Sequence, residues 1–256
     1  MAESPIHKAT NLLRILVEAS APLSLSELVA KSGYNTSTTL RLMRMLAEDG
    51  FVAFAPAGKL YTAGAEFLRL AAISLNDNPF FLRLRPALAA LARETGETVV
   101  FNLYDREAGL MIIVMSERSP QPLGYDIPLG RRDFLHTGAS GKSILAFLPE
   151  QEIHDVIERH GLVAVTPDTV TDRDVLFEQL LEIRQNGIAI SRGERVEGAV
   201  GSAAPVYGED GRVAGSILVT VPAFRHTEES QKKVTAAVKK AADNLRAGGV
   251  RKEHSA

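Results

Sequence analysis

Hydrophobic residues at the start of the chain recur three and four positions apart, which is the spacing of amphipathic helices. This spacing predicts one helix over 6–19, a second over 24–32 and a third over 36–48. Gly33 stands where a helix end favours the left-handed conformation that glycine adopts without strain. Asn35 follows as a candidate N-cap, because its side chain can accept from free N–H groups at the start of the third helix.

Two short apolar pairs after the third helix indicate a β-hairpin. Residues 51–52 and 60–61 flank a Pro-Ala-Gly turn, and Lys59 lies beside that turn. The second and third helices alone are equally compatible with an ordinary helical hairpin with a polar outer face. Three helices followed by a hairpin favour a winged helix-turn-helix instead.

Beyond the hairpin, the pattern predicts a linker helix and a second domain. Residues 64–76 are amphipathic, and their apolar stripe suits either a second copy of the chain or the same winged helix. Helical and strand-like segments then alternate, which indicates an α+β domain with helices at the edges of an antiparallel sheet. The predicted helices are 82–94, 140–147, 150–160, 172–186 and 228–246. The predicted strands are 98–105, 110–115, 122–129, 187–192, 199–207 and 212–221.

The third helix carries residue types that suit the major groove of DNA. Short hydroxyl side chains and helix N-terminal N–H groups bind phosphates, and arginine binds phosphates or guanine edges. The wing adds one lysine. The candidate DNA-binding residues are Thr36, Ser37, Thr38, Thr39, Arg41, Arg44 and Lys59.

Charge and composition narrow the classes of function. The net charge is −2, and the first 77 residues hold seven Lys or Arg and seven Asp or Glu, so DNA contact must come from local placement. The absence of cysteine excludes disulfides, thiolate nucleophiles and cysteine-based metal sites. No signal peptide and no apolar run of about 18 residues is found, so we expect a cytoplasmic protein without membrane partners.

The segment 136–143, H-T-G-A-S-G-K-S, looks like a phosphate-binding loop but lacks its first glycine, because position 136 is histidine. The segment opens a helix, so it suits either an anion site or a tight turn that needs small residues. No nucleophile elbow and no histidine pair with metal-ligand spacing is present. We therefore expect no enzyme activity, no metal and no cofactor.

Six segments, in order, give the chain its resemblance to a known family. They are P-L-S-L-S-E-L near 22–28, T-S-T-T-L-R-L from 36, D-G-F-V from 49, L-A-R-E-T-G-E-T-V near 91–99, L-H-T-G-A-S-G-K-S-I-L-A-F-L-P at 135–149 and A-A-P-V-Y-G-E-D-G-R-V-A-G-S at 203–216. From about residue 6 to 246 the chain resembles the IclR family of bacterial transcriptional regulators. The resemblance implies a C-terminal GAF-like effector domain and dimers or tetramers on pseudo-palindromic operators.

The resemblance also implies an effector pocket. Its positions fall on Tyr125, Ala139, Ser140, Ser191, Gly201, Leu218 and Thr220. Ser191 stands where the family commonly has aspartate, Gly201 where it has cysteine and Leu218 where it has serine. These differences remove a charge and leave more room, so an aromatic or otherwise bulky organic acid is favoured over a small polar one.

The predicted organisation is a winged helix-turn-helix DNA-binding domain over 1–62, a linker helix over 63–78, an effector-binding domain over 79–247 and a flexible tail over 248–256. The predicted function is a ligand-responsive transcriptional regulator, most simply a repressor, that binds double-stranded DNA as a homodimer or a dimer of dimers. Two alternatives stay open: a sensor that acts through protein contacts without DNA, and an enzyme that uses the loop at 139–142.

Overall fold

The computed structural model describes residues 4–19 and 21–250, and the chain divides into two compact units, one ending at Phe81 and the next beginning at Leu82. The first unit contains three helices, a three-stranded sheet and a further helix. In chain order these elements are α1 (Pro5–Glu18), β1 (Leu23–Ser24), α2 (Leu25–Ser32), α3 (Thr36–Glu48), β2 (Val52–Ala55), β3 (Leu60–Ala63) and α4 (Ala65–Asn76).

Local capping fixes the turn between α2 and α3. The Ser24 hydroxyl accepts from the Glu27 N–H, and the Glu27 carboxylate accepts from the Ser24 N–H at 2.7 Å, so α2 begins with a capping box. Gly33 ends α2 with φ of 71°, a conformation that favours glycine. The Asn35 side chain then accepts from the Thr38 N–H at 2.8 Å and caps α3.

The apolar faces of helices α1, α2 and α3 and of the three strands form one core in the first unit. Strand β3 pairs with both β1 and β2, and the β2–β3 hairpin runs in register from Val52 opposite Ala63 to Ala55 opposite Leu60. The predicted hairpin is therefore confirmed, whereas the two-residue β1 was not predicted. The buried residues of this core are Leu12, Leu16, Leu23, Leu28, Leu42, Met43, Val52 and Tyr61.

The second unit is an antiparallel sheet with helices packed against it. The helices are α5 (Pro79–Thr95, which begins in the first unit), α6 (Gly138–Leu145), α7 (Glu150–His160), α8 (Arg173–Asn186) and α9 (Glu228–Val250), with a 3₁₀ turn at Ala223–Arg225. The strands are β4 (Thr98–Asp105), β5 (Leu110–Glu117), β6 (Arg132–Phe134), β7 (Ala189–Arg192), β8 (Ala199–Tyr207) and β9 (Val213–Pro222). Their order is β6-β5-β4-β9-β8-β7.

A close approach in the second unit requires glycine inside α6. A Cβ atom on Gly141 would lie 2.4 Å from the Leu135 carbonyl oxygen, so only glycine lets α6 lie directly against the chain that follows β6. Leu135, Ile144 and Leu145 are fully buried in the core around it. Within the described part of the chain, no helix has the length and apolar character needed to cross a bilayer.

Two predicted elements differ from the structure. The strand predicted over 122–129 is wrong: the segment is irregular, and the edge strand is instead the three-residue β6. Pro122 and Pro128 lack the N–H group that a strand ladder needs, and three residues give too little periodicity to detect. Helix α9 runs to Val250, so the first residues of the predicted tail are helical, and 251–256 lie outside the described residues.

Candidate functional site

Helix α3 presents a polar face to solvent. Thr36, Ser37, Arg41 and Arg44 are exposed, and Thr38 is half-buried. Among residues 4–19 and 21–250, no carboxylate forms an ion pair with either arginine. This face therefore offers hydroxyls near the helix N-terminus and the guanidinium groups of Arg41 and Arg44 about one and two turns further along, an arrangement that suits phosphates and base edges.

Thr39 does not belong to this face, and its prediction as a DNA-binding residue is wrong. Its exposed fraction is 0%, and its hydroxyl donates to the Asn35 carbonyl oxygen at 3.1 Å. Thr39 lies three and four residues before Leu42 and Met43, which are both buried, so it shares their face of the helix. That spacing was visible in the sequence and could have separated Thr39 from its neighbours.

The wing carries a residue with positive φ at its tip. Lys59 has φ of 52° and is the only non-glycine residue with positive φ in the described part of the chain. Its side chain is exposed, and its N–H donates to the Pro56 carbonyl oxygen at 3.3 Å. The turn accounts for this conformation, because hairpin loops often place a left-handed residue after a type I turn, and the exposed side chain stays a predicted DNA contact.

The second unit contains a cavity of about 170 Å³ at the start of α6. Strands β7, β8 and β9 and the irregular segment after β5 complete its wall. The structure brings all seven predicted effector residues to this one cavity: Tyr125, Ala139, Ser140, Ser191, Gly201, Leu218 and Thr220. Burial raises the pKa of the Tyr125 hydroxyl, so this phenol stays protonated and can act as a hydrogen-bond donor in the cavity wall.

Part of the cavity is open because residue 201 is a glycine and has no side chain. A Cβ atom on Gly201 would lie 3.2 Å from Leu218 Cδ1, 3.2 Å from Ser191 Oγ and 3.3 Å from Ala139 Cβ. Ser191 Oγ also accepts from the Ala139 N–H at 2.8 Å. One N–H group at the α6 N-terminus is therefore already hydrogen-bonded to a protein side chain, so fewer N–H groups remain there to bind an anion.

Lys142 is not available for a phosphate group. It is 1% exposed, and its Nζ donates to Glu194 Oε1 at 2.6 Å and to Gln179 Oε1 at 2.9 Å. Strand β6, which precedes this segment, is an antiparallel edge strand rather than the buried parallel strand of a phosphate-binding loop. The structure therefore agrees with the exclusion of a nucleotide-hydrolysing site at 136–143.

Charged residues in the cavity wall were missed by sequence reasoning. Arg131 and Arg195 line the cavity, and both bond to the Asp133 carboxylate, in the case of Arg131 at 3.1 Å. Burial lowers the pKa of the Arg195 guanidinium, whereas the Asp133 charge opposes that shift. Two arginines thus share one carboxylate. No local sequence pattern predicts this arrangement, because Asp133 and Arg195 are 62 positions apart.

A metal site finds no support in this geometry. Across residues 4–19 and 21–250, no three His, Asp or Glu side chains are grouped closely enough to hold a metal ion.

A winged helix with a polar recognition face and a separate α+β unit with a cavity define the class of ligand-sensing DNA-binding regulators.

Comparison with known proteins identifies the family. The profile described as "Bacterial transcriptional regulator IclR C-terminal" matches residues 74–247, and the profile "IclR helix-turn-helix domain" matches residues 5–56. The chain belongs to the IclR family of transcriptional regulators. Proteins of this family bind DNA operators and small-molecule effectors, and they are regulators rather than enzymes.

Individual relatives align over nearly the whole chain. The HTH-type transcriptional regulator KipR of Bacillus subtilis is 29% identical and aligns over 92% of each chain, and the transcriptional repressor IclR of Escherichia coli is 28% identical over 95% of this chain and 90% of its own. A solved structure of an IclR regulator from Silicibacter sp. TM1040 has a TM-score of 0.85, 28% identity and 96% coverage of each chain. An IclR homolog from Microbacterium hydrocarbonoxydans, solved in complex with 4-hydroxybenzoate, has a TM-score of 0.79 at 18% identity, covering 95% of this chain and 100% of its own.

Proposed function

We propose that the chain is a cytoplasmic repressor that binds operator DNA through α3 and the wing, and that an organic acid in the cavity changes its affinity for the operator. The observation that carries this proposal is the cavity itself, which gathers seven predicted residues from separate elements beside two arginines. The proposed domains are DNA-binding over 1–62, linker over 63–78 and effector-binding over 79–247. The coupling between effector and DNA is expected at about 1–3 kcal/mol.

The polar face of α3 supports the DNA-binding part. Thr36, Ser37 and Thr38 stand at the helix N-terminus, where N–H groups and hydroxyls bind phosphates. Arg41 and Arg44 follow on the exposed side, and arginine is the side chain that most commonly binds base edges in a major groove.

Charge and size support an acid as the ligand of the cavity. Arg131 and Arg195 share the single carboxylate of Asp133, so a ligand carboxylate can pair with this part of the wall. The acidic lining residues Asp126 and Glu194 have their own partners, Arg118 and Lys142. A cavity of about 170 Å³ is close to the ~150 Å³ that accommodates benzene in another protein. The 4-hydroxybenzoate complex of the Microbacterium homolog shows that a protein of this fold can hold an aromatic acid.

Assembly with a second copy is part of the proposal. Helix α4 buries none of its residues, and Leu68, Leu70, Ile73 and Leu75 are exposed on it. An exposed apolar helix of this kind marks an interaction surface. Pairing α4 with its copy would give a homodimer, and a dimer of dimers would need a second interface. Two copies of α3 would then bind two half-sites of a pseudo-palindromic operator.

A footprinting experiment tests the proposed function. Full-length protein is titrated onto the DNA upstream of its own gene, with and without benzoate and related acids, and protection from nuclease is measured. We expect a protected region with two related half-sites, weakened or shifted when a binding acid is present. Absence of any sequence-specific protection, at concentrations where the protein is folded, would contradict the proposal.

A sensor that acts through protein contacts without DNA is the second candidate function. The observation that favours it is the balance of seven basic and seven acidic residues in the first 77 positions, which gives no basic field. The same footprinting experiment separates the two functions, because this sensor would bind acids but protect no DNA.

A further inference from the structure

The second unit has a cleft of about 560 Å³ that shares no lining residue with the cavity at the start of α6. We call it the arginine cleft, because Arg106, Arg184 and Arg212 line it. Strand β8 extends from one site to the other, since Gly201 lines the cavity and Tyr207 lines the arginine cleft. A strand rises by about 3.3 Å per residue, so these two positions are about 20 Å apart. The arginine cleft is therefore a separate site.

The lining of the arginine cleft contains more positive than negative charge. Arg106 lies in the turn between β4 and β5, Arg184 on α8 and Arg212 in the turn before β9. In the part of the chain that the structure describes, Glu152 on α7 is the single acidic residue of this lining. Three arginines against one carboxylate leave a surplus of about two positive charges, drawn together from separate elements.

Two of the arginines are held in place by protein groups. Arg106 Nη1 donates to Glu152 Oε1 at 2.5 Å, and the same oxygen accepts from the Tyr104 hydroxyl at 2.7 Å. Arg184 donates to two carbonyl oxygens of the segment 146–148, with the longer bond at 3.3 Å. A carbonyl oxygen orients a guanidinium group but carries no net charge. The position of Arg184 is thus fixed while its charge stays uncompensated.

Arg212 is exposed and available for a ligand. Among the described residues, no carboxylate forms an ion pair with the side chain of Arg212 or of Arg184. Asp210 lies in the same turn, but it accepts from the backbone N–H of Arg212 at 3.0 Å and is not part of the lining. Its charge is offset by Arg246, whose guanidinium group lies 4.7 Å from the centre of the Tyr207 ring.

Charge, geometry and size favour a phosphate group over a simple carboxylate. The planar guanidinium group binds phosphate through two parallel hydrogen bonds, and two uncompensated arginines match the charge of about −1.5 to −2 on a phosphate monoester at pH 7. A single carboxylate would leave one of them unpaired. The volume lies in the range of about 300–1,000 Å³ that is usual for sites of small organic ligands. Phe147 and Tyr207, with ring centres 6.4 Å apart, add aromatic surface for the body of such a ligand.

We propose that the arginine cleft binds a small phosphate monoester with a ring in its body, either a sugar phosphate or a nucleoside monophosphate. Its phosphate group accepts from Arg184 and Arg212, and its ring lies against Phe147 and Tyr207. This is a second ligand, distinct from any occupant of the cavity at the start of α6. The inference does not rest on the proposed function, because the two sites have no lining residue in common.

Calorimetric titrations of the unmodified full-length protein test the class of ligand. Glucose 6-phosphate, ribose 5-phosphate and AMP are compared with glucose, ribose and adenosine, and inorganic phosphate, sulfate and citrate serve as plain anions. We expect at least one ester to bind at one site per chain, about ten-fold or more tightly than any plain anion, while its uncharged counterpart does not bind. The sugar phosphates and AMP distinguish the two sources of the phosphate group.

Variants that remove one charge locate the phosphate group. Arg212→Gln is expected to weaken ester binding about ten-fold or more without changing the melting curve, because no protein group depends on this side chain. Arg184→Gln should weaken binding as much, but it also loses the bonds to segment 146–148, so its melting curve without ligand is measured as well. Arg192→Gln changes the net charge equally at an exposed position of β7 outside the arginine cleft, and it should keep full affinity.

Three results would overturn the inference. The first is that no ester binds more tightly than inorganic phosphate, sulfate or citrate. The second is that Arg212→Gln keeps full affinity for the esters whereas Arg131→Gln loses it, which would locate the phosphate group in the cavity at the start of α6. The third is that Arg212→Gln weakens operator binding and leaves ester binding unchanged, which would make the arginine cleft a DNA contact. The footprinting experiment assesses the proposed function separately in each case.

Discussion

Thr36 and Thr39 carry the same side chain one turn apart on α3, yet their surroundings differ completely. Thr36 is exposed at the first position of the helix, whereas Thr39 is fully buried with its hydroxyl bonded to the Asn35 carbonyl oxygen. That carbonyl also accepts the Thr39 N–H at 3.0 Å. Loss of the hydroxyl therefore leaves no unpaired backbone group, and Thr39 contributes to packing rather than to DNA contact.

Valine substitutions test this difference between the two threonines. Thr39→Val is expected to change the free energy of unfolding by about 1 kcal/mol or less, because one hydrogen bond is lost from a site that suits an apolar side chain. Operator affinity should stay within about two-fold. Thr36→Val should leave stability unchanged and weaken operator binding. Thermal melts and gel-shift titrations of both variants make the comparison, and weaker DNA binding by a fully folded Thr39→Val would contradict it.

Arg41 is the arginine expected to reach a base edge. Arg41→Ala should weaken specific operator binding by about 1–3 kcal/mol, while binding to unrelated DNA weakens less. Arg14→Ala on α1 is a suitable control, because Arg14 is held by Asn11 and Glu18 on its own helix. Gel-shift titrations with operator and scrambled DNA measure the difference. Equal losses on both sequences would show that Arg41 contacts only phosphates.

Among the elements, α6 combines the tightest packing with a place in the cavity wall. Gly141 lies against the Leu135 backbone, and Ala139 and Ser140 from the preceding turn line the cavity. Because the whole helix is buried, a shift of its backbone changes the cavity directly. Packing in the core and binding in the cavity are therefore linked through one short helix.

Gly141→Ala tests that link. The added Cβ would clash with backbone atoms of Leu135, which can move only if the neighbouring chain moves with them. We therefore expect the free energy of unfolding to fall by about 1–3 kcal/mol and acid binding to weaken. Gly211→Ala serves as the control: it places a residue at φ of 72° with no atom within 4 Å and lies outside the cavity wall. It should lower stability without changing acid affinity. Calorimetry of both variants measures this, and unchanged acid binding by Gly141→Ala would be the contrary result.

Periodic elements were predictable from the sequence, and the charged part of the cavity was not. Helices α3 and α7 and strands β4 and β8 have the predicted bounds, because each carries an uninterrupted apolar pattern with clear ends. The seven effector positions came from family resemblance rather than from spacing, and the structure gathers them around one cavity. The pairing of Asp133 with Arg195 arises only when β6 and the segment after β7 meet in the fold, so no local pattern contained it.

For the molecule as a whole, the balance of charge limits the electrostatic attraction between the first unit and DNA. The first 77 residues carry equal numbers of basic and acidic residues, so long-range attraction to DNA is weak. Under the proposed function, DNA binding is expected to depend on a few well-placed cations in each copy, chiefly Arg41, Arg44 and Lys59, all of them exposed. The proposed dimer would present six such cations, so we expect useful affinity for DNA only from the assembled protein.

The salt dependence of operator binding measures this number of contacts. If Arg44 and Lys59 of both copies neutralise phosphates while Arg41 reaches a base edge, the logarithm of the binding constant should fall with the logarithm of salt concentration with a slope of about −4. Lys59→Asn should reduce the magnitude of that slope by about two, one contact per copy, while the hairpin stays stable because asparagine tolerates positive φ. Titrations at several KCl concentrations give the slope, and a value near −10 would reveal further basic contacts.

The segment 193–198 contributes both to the cavity wall and to the buried core. It consists of bends and a turn between β7 and β8, and it carries Glu194 and Arg195 at adjacent positions. Glu194 has to be kept, because it pairs with the buried Lys142, whereas Val196 is exposed and can be exchanged to alter the cavity wall. A reporter-based library that varies Val196 and keeps Glu194 would therefore change the cavity wall without unpairing the buried lysine.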